Sequence, residues 1–365
     1  MVRTLVLVLL VGCAKHHGEA VDAGPDSPTV SPPADACTGS LGCFIVDCAS
    51  MGKTPTTLSG TVYAPNGTLP LYGVNVYVPA TDPGDLKPGV TCDKCSAGLP
   101  GSPLVQTTTD EAGHFSLQNV PATTSVPVVI QSGKWRRQLV LPTVSACEEQ
   151  PMATVDTTFP KSRTDDSPLT AKAADGSPKV DLPRIAVTTG AFDALECLPY
   201  KLGIDPTEIT NDTGDGHVQL FTNNGAGANG QGAKQFSATW AGGANAMFGD
   251  AQTLWGAKAN LEKYDIVMLS CEGGQKPTTK PQSALQAVHD YANEGGRVFM
   301  SHWHNIWIGG EGLNGNTTHG LPDWEALATW YPLDNENFPN PTATIDETSH
   351  PKGASFAQWL LNVGG

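Results

Sequence analysis

The stretch LEKYDIVMLSCEGG, residues 261–274, indicates the fold of the second half of the chain. Within it, residues 265–269 are a short run of apolar, β-forming side chains, and two glycines follow shortly after. A segment with helical spacing at residues 282–293 comes next, and then a second apolar run at residues 297–301. This alternation predicts parallel strands joined by crossover helices, which is an α/β architecture.

Four side chains that can carry chemistry follow these two predicted strands. Cys271 and Glu272 come after the first strand, and His302 and His304 come after the second. In open α/β sheets, ligands bind outside the carboxyl ends of the strands. The sequence therefore predicts that any functional site in this half contains these four residues.

The rest of the second half continues the pattern. Pro199 lies inside a segment with helical spacing, and a proline inside a helix costs about 3 kcal/mol, so that helix is expected to kink or end there. The Gly- and Asn-rich run at 223–232 lacks the glycine order of a phosphate-binding loop and is predicted to be a surface loop. No motif calls for a cofactor, and none is predicted. The predicted strands are 184–188, 218–221, 265–269, 297–301 and an edge strand at 343–345, and the predicted helices are 192–202, 282–293 and 354–361.

The first half has a different character, with many short alternating strands separated by turn residues. Such spacing is typical of a small antiparallel β-sandwich. A Pro- and Asp-rich segment at 161–183 then predicts a linker between the two halves. The predicted strands are 58–63, 73–78, 114–117, 126–130 and 137–141.

Residues 1–13, MVRTLVLVLLVGC, have the pattern of a short export signal, since the apolar run is too short to span a bilayer. The segment LVGC ending at Cys13 resembles a bacterial lipobox. The resemblance implies cleavage before Cys13, lipidation of that residue and a membrane anchor, and Ala14 after it favours the outer membrane. Residues 14–36 are poor in large apolar side chains and predict a disordered tether.

Charge and cysteine usage are consistent with an exported protein. The net charge is −15 and basic residues do not cluster, which argues against a nucleic-acid partner. Of nine cysteines, eight remain once Cys13 is set aside, and an even number in an oxidising compartment predicts disulfides. The Cys92–Cys95 pair has no matching second pair, so a structural bridge is favoured over zinc or redox chemistry.

The motifs SGTV (59–62), GVNV (73–76) and TDEAGHF (109–115) resemble the carboxypeptidase regulatory-like domain. This resemblance covers about residues 56–160 and implies a transthyretin-like (prealbumin-like) sandwich without a protease site. Related sandwiches bind sugars or act as spacers. The segment at 81–103 is an insertion relative to that family.

The motifs YDIVMLSCEGG and YANEGGRVFMSHWHN resemble the class I glutamine amidotransferase-like superfamily, which implies a flavodoxin-like, doubly wound fold. That family carries a nucleophilic cysteine on a sharp elbow after a strand. Here the corresponding strand, 297–301, is followed by HWH, and Cys271 follows the preceding strand, so glutaminase activity does not carry over.

The order of segments along the chain resembles that of predicted myxobacterial surface lipoproteins of unknown activity. The motifs that carry this resemblance are SGTVYAPNG, FDALEC and YDIVMLSCEGG. The sequence is compatible with a truncated version of a longer family member. The expected segments are 1–13 signal peptide with lipobox, 14–55 tether and Cys-rich segment, 56–160 sandwich, 161–183 linker and 184–365 α/β domain.

A disulfide between Cys197 and Cys271 is predicted from this architecture. Cys197 lies in the helix after the first strand of the α/β domain, and Cys271 follows a later strand. In the flavodoxin-like order these two strands are neighbours. The two cysteines are also the only ones in this half of the chain.

Two classes of function follow from these features. The first is a non-catalytic envelope protein that binds a glycan or a surface protein. Exposed tryptophans would support sugar binding, and the candidates are Trp303, Trp307, Trp324 and Trp330. The second is a surface hydrolase with Cys271 as thiolate nucleophile, His302 or His304 as base and Glu272 as the orienting acid.

A metal site is the third hypothesis. His302 and His304 lie two residues apart and would share one face of a continued strand. Glu311 or His319 would complete the ligand set. Two histidines with a carboxylate are a possible zinc-binding combination.

Overall fold

The computed structural model describes residues 40–91, 98–222, 232–310, 320–327 and 344–364. These residues form two compact units. The first unit contains the described residues up to 86, residues 98–181 and residues 355–364. The second contains residues 87–91 and the described residues from 182 to 354. The chain is thus a multidomain protein, and each unit is considered separately.

The first unit consists of two β-sheets that enclose one apolar core. The three-stranded sheet has the order β4-β1-β7 and the five-stranded sheet has the order β3-β2-β5-β6-β8. Among the described strands of this unit, β1 and β7 form the one parallel pair, and the other pairs are antiparallel. A strand coincides with each of the five that the sequence predicts, and β3 was not predicted. The strands are β1 Thr57–Thr61, β2 Asn75–Pro79, β3 Pro103–Thr108, β4 His114–Gln118, β5 Thr124–Ser132, β6 Trp135–Thr143, β7 Glu149–Pro151 and β8 Val180–Asp181.

The core of the sandwich follows the two-residue period of its strands. Val126, Val128 and Ile130 on β5 are fully buried, and they face the same interior as Leu139 and Leu141 on β6. A disulfide also joins Cys48 to Cys147 across 99 residues of sequence. Cys43 is disulfide-bonded as well. The prediction of structural disulfides in this part of the chain is therefore confirmed for these cysteines.

The boundaries of the first unit differ from the predicted ones. Residues 161–181 were expected to be a linker, but they pack on the sandwich, and β8 pairs with β6. The reason is two buried arginines on β6 that need acceptors. Arg136 Nε donates to Asp181 Oδ2 at 2.7 Å, and Arg137 donates to Asp165. A polar segment covers these guanidinium groups because a buried charge without a partner is costly.

From residue 355 onwards, the last helix of the chain also belongs to the first unit rather than to the α/β domain. Helix Gly353–Asn362 confirms the helix that was predicted at 354–361. Its Trp359 Nε1 donates to Pro70 O at 3.1 Å, and Asn362 Nδ2 donates to Glu111 O at 2.9 Å. The predicted domain 184–365 is therefore shorter at its carboxyl end than the sequence suggested.

The second unit is an α/β unit with a parallel sheet of order β10-β11-β9-β13-β14, in which β12 also pairs with β11. Every strand pair in it is parallel, as the sequence predicts. The strands are β9 Ile185–Thr188, β10 Ile209–Asn211, β11 Val218–Thr222, β12 Gly249–Asp250, β13 Ile266–Leu269 and β14 Arg297–Met300. The α-helices of the described residues, counted through both units, are α1 Thr154–Thr157, α2 Leu198–Lys201, α3 Ala251–Trp255, α4 Lys258–Leu261, α5 Gln282–Asn293, α6 Ile306–Gly309, α7 Pro322–Glu325 and α8 Gly353–Asn362.

Two predicted elements of this unit differ from the structure. The helix expected at 192–202 is a 3₁₀ turn, Leu195–Cys197, followed by the four-residue α2. Pro199 lies in the first turn of α2, where its missing N–H costs no hydrogen bond, so the helix starts there instead of passing through it. Ile345 is not in a strand, and Ala343 lies outside the described residues.

The core of the α/β unit is built from large aromatic side chains. Trp255, Trp307 and Tyr291 are fully buried among the aliphatic residues of α5 and the strands. Trp255 and Trp307 meet edge to face, with ring centroids 5.3 Å apart. Among the described helices, none has the length and apolarity needed to cross a membrane.

The contact between α5 and α7 is expected to weaken at alkaline pH. His289 Nε2 on α5 lies 2.7 Å from Asp323 Oδ2 on α7, and its Nδ1 lies 3.1 Å from Asp290 Oδ1. Burial lowers the pKa of His289, but the hydrogen bonds to Asp290 and Asp323 outweigh it, so the pKa is raised above 6.5. The stabilisation is thus complete below the unfolded-state pKa of about 6.5 and is lost as pH rises through the folded-state pKa.

The test is to follow the free energy of unfolding of wild type and His289→Gln between pH 5.5 and 8.5. The difference in the free energy of unfolding between wild type and variant should decrease as pH rises. A difference that stays constant over this range would show that the charge of His289 makes no contribution.

Candidate functional site

The carboxyl ends of three strands meet at one edge of the parallel sheet. Leu269, the last residue of β13, is paired with Thr188 of β9 on one side and with Met300 of β14 on the other. The segments that leave these strands therefore lie next to each other. This confirms that β9 and β13 are neighbours, and that Cys271, Glu272, His302 and His304 all leave the sheet at this edge.

His302 occupies a sharp turn between β14 and a 3₁₀ helix, His302–Asn305. Its φ is +43°, in the left-handed region that side chains other than glycine rarely adopt, and the side chain is exposed. Such strained residues concentrate at functional sites.

Cys271 lies beneath this turn, and only 1% of its surface is exposed. Its Sγ is 3.3 Å from Nδ1 of His302, and its backbone N–H donates to Oδ2 of Asp193 at 3.3 Å. Burial raises the pKa of the Cys271 thiol, and the nearby carboxylates of Asp193 and Glu272 raise it further. The protonated thiol is therefore favoured, and it can donate to the His302 ring.

The predicted disulfide between Cys197 and Cys271 is wrong, because both thiols are free. Cys197 is exposed at the end of the 3₁₀ turn before α2, whereas Cys271 is buried against His302. The prediction assumed a regular helix after β9 whose early turns would face the neighbouring strand. The interruption at Pro199 removes that helix, and with it the basis for the pairing.

Glu272 is fully buried and pairs with a lysine that the sequence analysis did not single out. Lys280 Nζ lies 2.8 Å from Glu272 Oε2, and the two side chains are 1% and 0% exposed. The ammonium also lies 5.2 Å from the ring centroid of Trp255 and 5.9 Å from that of Trp307. Burial lowers the pKa of Lys280, although the Glu272 carboxylate opposes this. Glu272 is thus part of the core, and its second oxygen, Oε1, lies 3.4 Å from Nε2 of His304.

His304 is buried in the same core. Its Nε2 donates to Ser270 O at 2.8 Å, and its Nδ1 accepts from Trp307 Nε1 at 2.8 Å. This pairing requires the neutral ring with its proton on Nε2. Burial and the nearby Lys280 charge lower the pKa of His304 to about 3.

The hypotheses that use His304 therefore need correction. Because both of its ring nitrogens are occupied inside the protein, His304 cannot act as a base or join His302 on a metal ion. Within the described residues, no group of three His, Cys, Asp or Glu side chains is placed to hold a metal. Glu311 and His319, the other proposed ligands, lie outside the described residues, as do Cys13 and the tether.

None of the described candidate tryptophans for sugar binding is fully exposed. Trp307 and Trp324 are buried, Trp303 is half-buried beside His302, and Trp330 lies outside the described residues. The ring centroids of Trp303 and His302 are 5.0 Å apart.

Sequence reasoning missed two residues at this edge, Phe192 and Asp193. Both follow β9, and 52% of Phe192 is exposed. Asp193 Oδ2 accepts a hydrogen bond from Ser301 Oγ in addition to the one from Cys271 N. Their position after a buried strand was the available signal, but the expected helix at 192–202 assigned Phe192 to a packed face instead.

Comparisons with known proteins give no family. No protein-family model matches the sequence, and no curated protein matches it either. Two solved structures are similar over part of the chain. They are an N-terminal and a C-terminal interface mutant of a type II cohesin–X-dockerin complex from Acetivibrio cellulolyticus, Coh3ScaB-XDoc_M1ScaA and Coh3ScaB-XDoc_M2ScaA. The sequence identities are 16% and 18%, respectively. In both cases the match covers 41% of this chain and 85% of the other chain, with a TM-score of 0.21. A TM-score this low carries no argument about fold or partner.

Proposed function

We propose that this chain is a non-catalytic cell-envelope lipoprotein that presents a β-sandwich and a degenerate amidotransferase-like domain for binding a glycan or a protein. The observation that carries the proposal is that two of the candidate catalytic groups at the sheet edge are paired with other groups inside the protein. Glu272 is paired with Lys280, and both nitrogens of His304 are occupied inside the core. The candidate acid, Glu272, and one of the two candidate bases, His304, are therefore unavailable to a substrate.

Two further features support the finer parts of this proposal. The strand order β11-β9-β13-β14 has the first strand between later ones, as a flavodoxin-like sheet requires. The two-sheet sandwich is compatible with a transthyretin-like module. The lipobox at Cys13 supports an outer-membrane anchor, and the disulfide Cys48–Cys147 is in keeping with an exported protein.

A second candidate function is a surface hydrolase, and one contact favours it. The 3.3 Å distance between Cys271 Sγ and His302 Nδ1 is that of a nucleophile and its base. Against it, burial excludes substrate from the sulfur and favours the protonated thiol. The geometry therefore supports a binding protein better than a thiol enzyme.

Alkylation of the native protein distinguishes the two functions, because the chain contains a matched control. Iodoacetamide without reductant should modify exposed Cys197 and leave buried Cys271 unmodified, and both should react in urea. Peptide mass spectrometry reads the two sites separately. Modification of Cys271 in the native state at the rate of Cys197 would favour the hydrolase.

A further inference from the structure

The edge of the sheet above Cys271 has an aromatic and polar surface that no catalytic role explains. Three side chains reach it from the ends of two strands, β9 and β14. Phe192 N–H donates to Cys271 O at 3.3 Å, and the His302 ring contacts the Cys271 thiol. Trp303 adds its ring beside His302. Cys271 thus holds together residues that follow β9 and β14, and the surface is built around it.

The backbone is shaped to keep these rings at the surface. Gly273 has a φ of +75°, and a Cβ there would lie 2.1 Å from the Phe192 ring. A glycine is therefore required for this ring to lie against the main chain. On the other side, the left-handed turn at His302 directs its side chain outwards, where it is exposed. Backbone strain that exposes an aromatic side chain at the ligand-binding edge of an α/β sheet points to recognition.

Polar groups accompany the aromatic rings. The Asp193 carboxylate is fixed by Ser301 Oγ and by Cys271 N–H, and the Nδ1 atom of His302 is held by the thiol. Aromatic side chains with a few fixed polar groups are the usual composition of a small-molecule site. A carboxylate in a chain of net charge −15 disfavours an anionic ligand.

We propose that Phe192, Trp303, His302 and Asp193 form a binding site for a neutral saccharide at the carboxyl edge of the parallel sheet. The rings contact the apolar faces of the sugar, and Asp193 and the His302 imidazole pair with its hydroxyls. This inference rests on the proposed function, since it specifies the ligand class and the location for an envelope-binding protein.

Another aromatic cluster in the same unit is a poorer candidate. Trp240 is stacked on Phe236 with centroids 5.5 Å apart, and Tyr200 meets it edge to face at 5.4 Å. Its indole N–H donates to Ile209 O. Both the face and the N–H group of the Trp240 ring are therefore already in contact with other parts of the protein. Tyr200, in contrast, is 54% exposed, which is close to the 52% exposure of Phe192. Tyr200 provides a matched control for loss of an exposed aromatic ring.

The test is calorimetric titration of the full chain with three neutral tetrasaccharides, chitotetraose, cellotetraose and maltotetraose. Wild type should bind at least one of them. Phe192→Ala and Trp303→Ala should each raise its Kd about tenfold or more, in line with the loss of one aromatic contact. Tyr200→Ala should leave the Kd within about twofold of wild type. Circular dichroism confirms that each variant is folded.

Three outcomes would overturn the inference, and they are distinguishable from failure of the proposed function. If wild type binds a saccharide and neither Phe192→Ala nor Trp303→Ala weakens it, the site lies elsewhere and the proposed function stands. If all three aromatic variants lose affinity equally, the effect is not specific to this edge. If no tetrasaccharide binds, the saccharide site is wrong, and capture of purified envelope polysaccharide or surface protein then decides the proposed function separately.

Discussion

Replacing Lys280 with methionine should lower the free energy of unfolding by about 3–5 kcal/mol, because it leaves the Glu272 carboxylate buried without its cation. Both side chains are almost completely inaccessible, and their charged atoms are 2.8 Å apart. The methionine keeps most of the lysine stem, so lost packing contributes little. Urea denaturation of wild type and variant at neutral pH measures the difference.

Two controls make this result specific. Lys258 also forms ion pairs, with Glu262 and Glu294, but they lie at the surface. Lys258→Met should therefore destabilise the protein far less than Lys280→Met. The double variant Lys280→Met with Glu272→Met removes both buried charges and should be more stable than Lys280→Met alone. If the two lysine variants lost equal stability, the buried pair would not have the role assigned to it.

Loss of the Cys48–Cys147 disulfide should cost the sandwich about 2–5 kcal/mol. The bond spans 99 residues of sequence, so it restricts a large loop in the unfolded chain. Both cysteines are buried, and alanine fits in place of each. Thermal unfolding of Cys48→Ala/Cys147→Ala shows the effect, with Cys197→Ala as a control that removes an exposed, free thiol. Equal melting temperatures for the two proteins would contradict the prediction.

The parallel sheet was predictable because its central strands are buried on both faces. Residues 266–269 form the inner strand β13 and residues 298–300 lie in β14 at the edge of the sheet, and both are continuous apolar runs. The helix at 282–293 was predicted with its observed bounds, since Pro281 precedes it and two glycines follow its end. Local sequence was sufficient for these elements because apolar runs mark the strands, and proline and glycine mark the two ends of the helix.

Other elements depend on contacts that sequence does not reveal. β10 and β12 have only three and two residues, too few for a periodic pattern. The segment at 161–181 has the composition of a linker, but Arg136 and Arg137 hold it on the sandwich. Long-range partners of single charges set these boundaries, and such partners are visible only in three dimensions.

The position of the four candidate residues at one edge of the sheet was predicted correctly, but their contacts were not. The topology placed Cys271, Glu272, His302 and His304 at one edge of the sheet. Which of them face solvent depends on side-chain packing. Glu272 is paired with Lys280 in the core, and His304 accepts a hydrogen bond from Trp307 there. The side chains that are accessible at this edge are those of His302 and Phe192, which are exposed, and of Trp303, which is half-buried.

The central claim is that this protein binds a ligand of the cell envelope without transforming it. The most direct test incubates the full chain with fluorescently labelled envelope polysaccharide and then separates the mixture by size-exclusion chromatography. The claim predicts that the polysaccharide co-elutes with the protein and, after denaturation, is recovered at its original length. Shortened fragments that disappear with Cys271→Ala would contradict it and establish a thiol hydrolase.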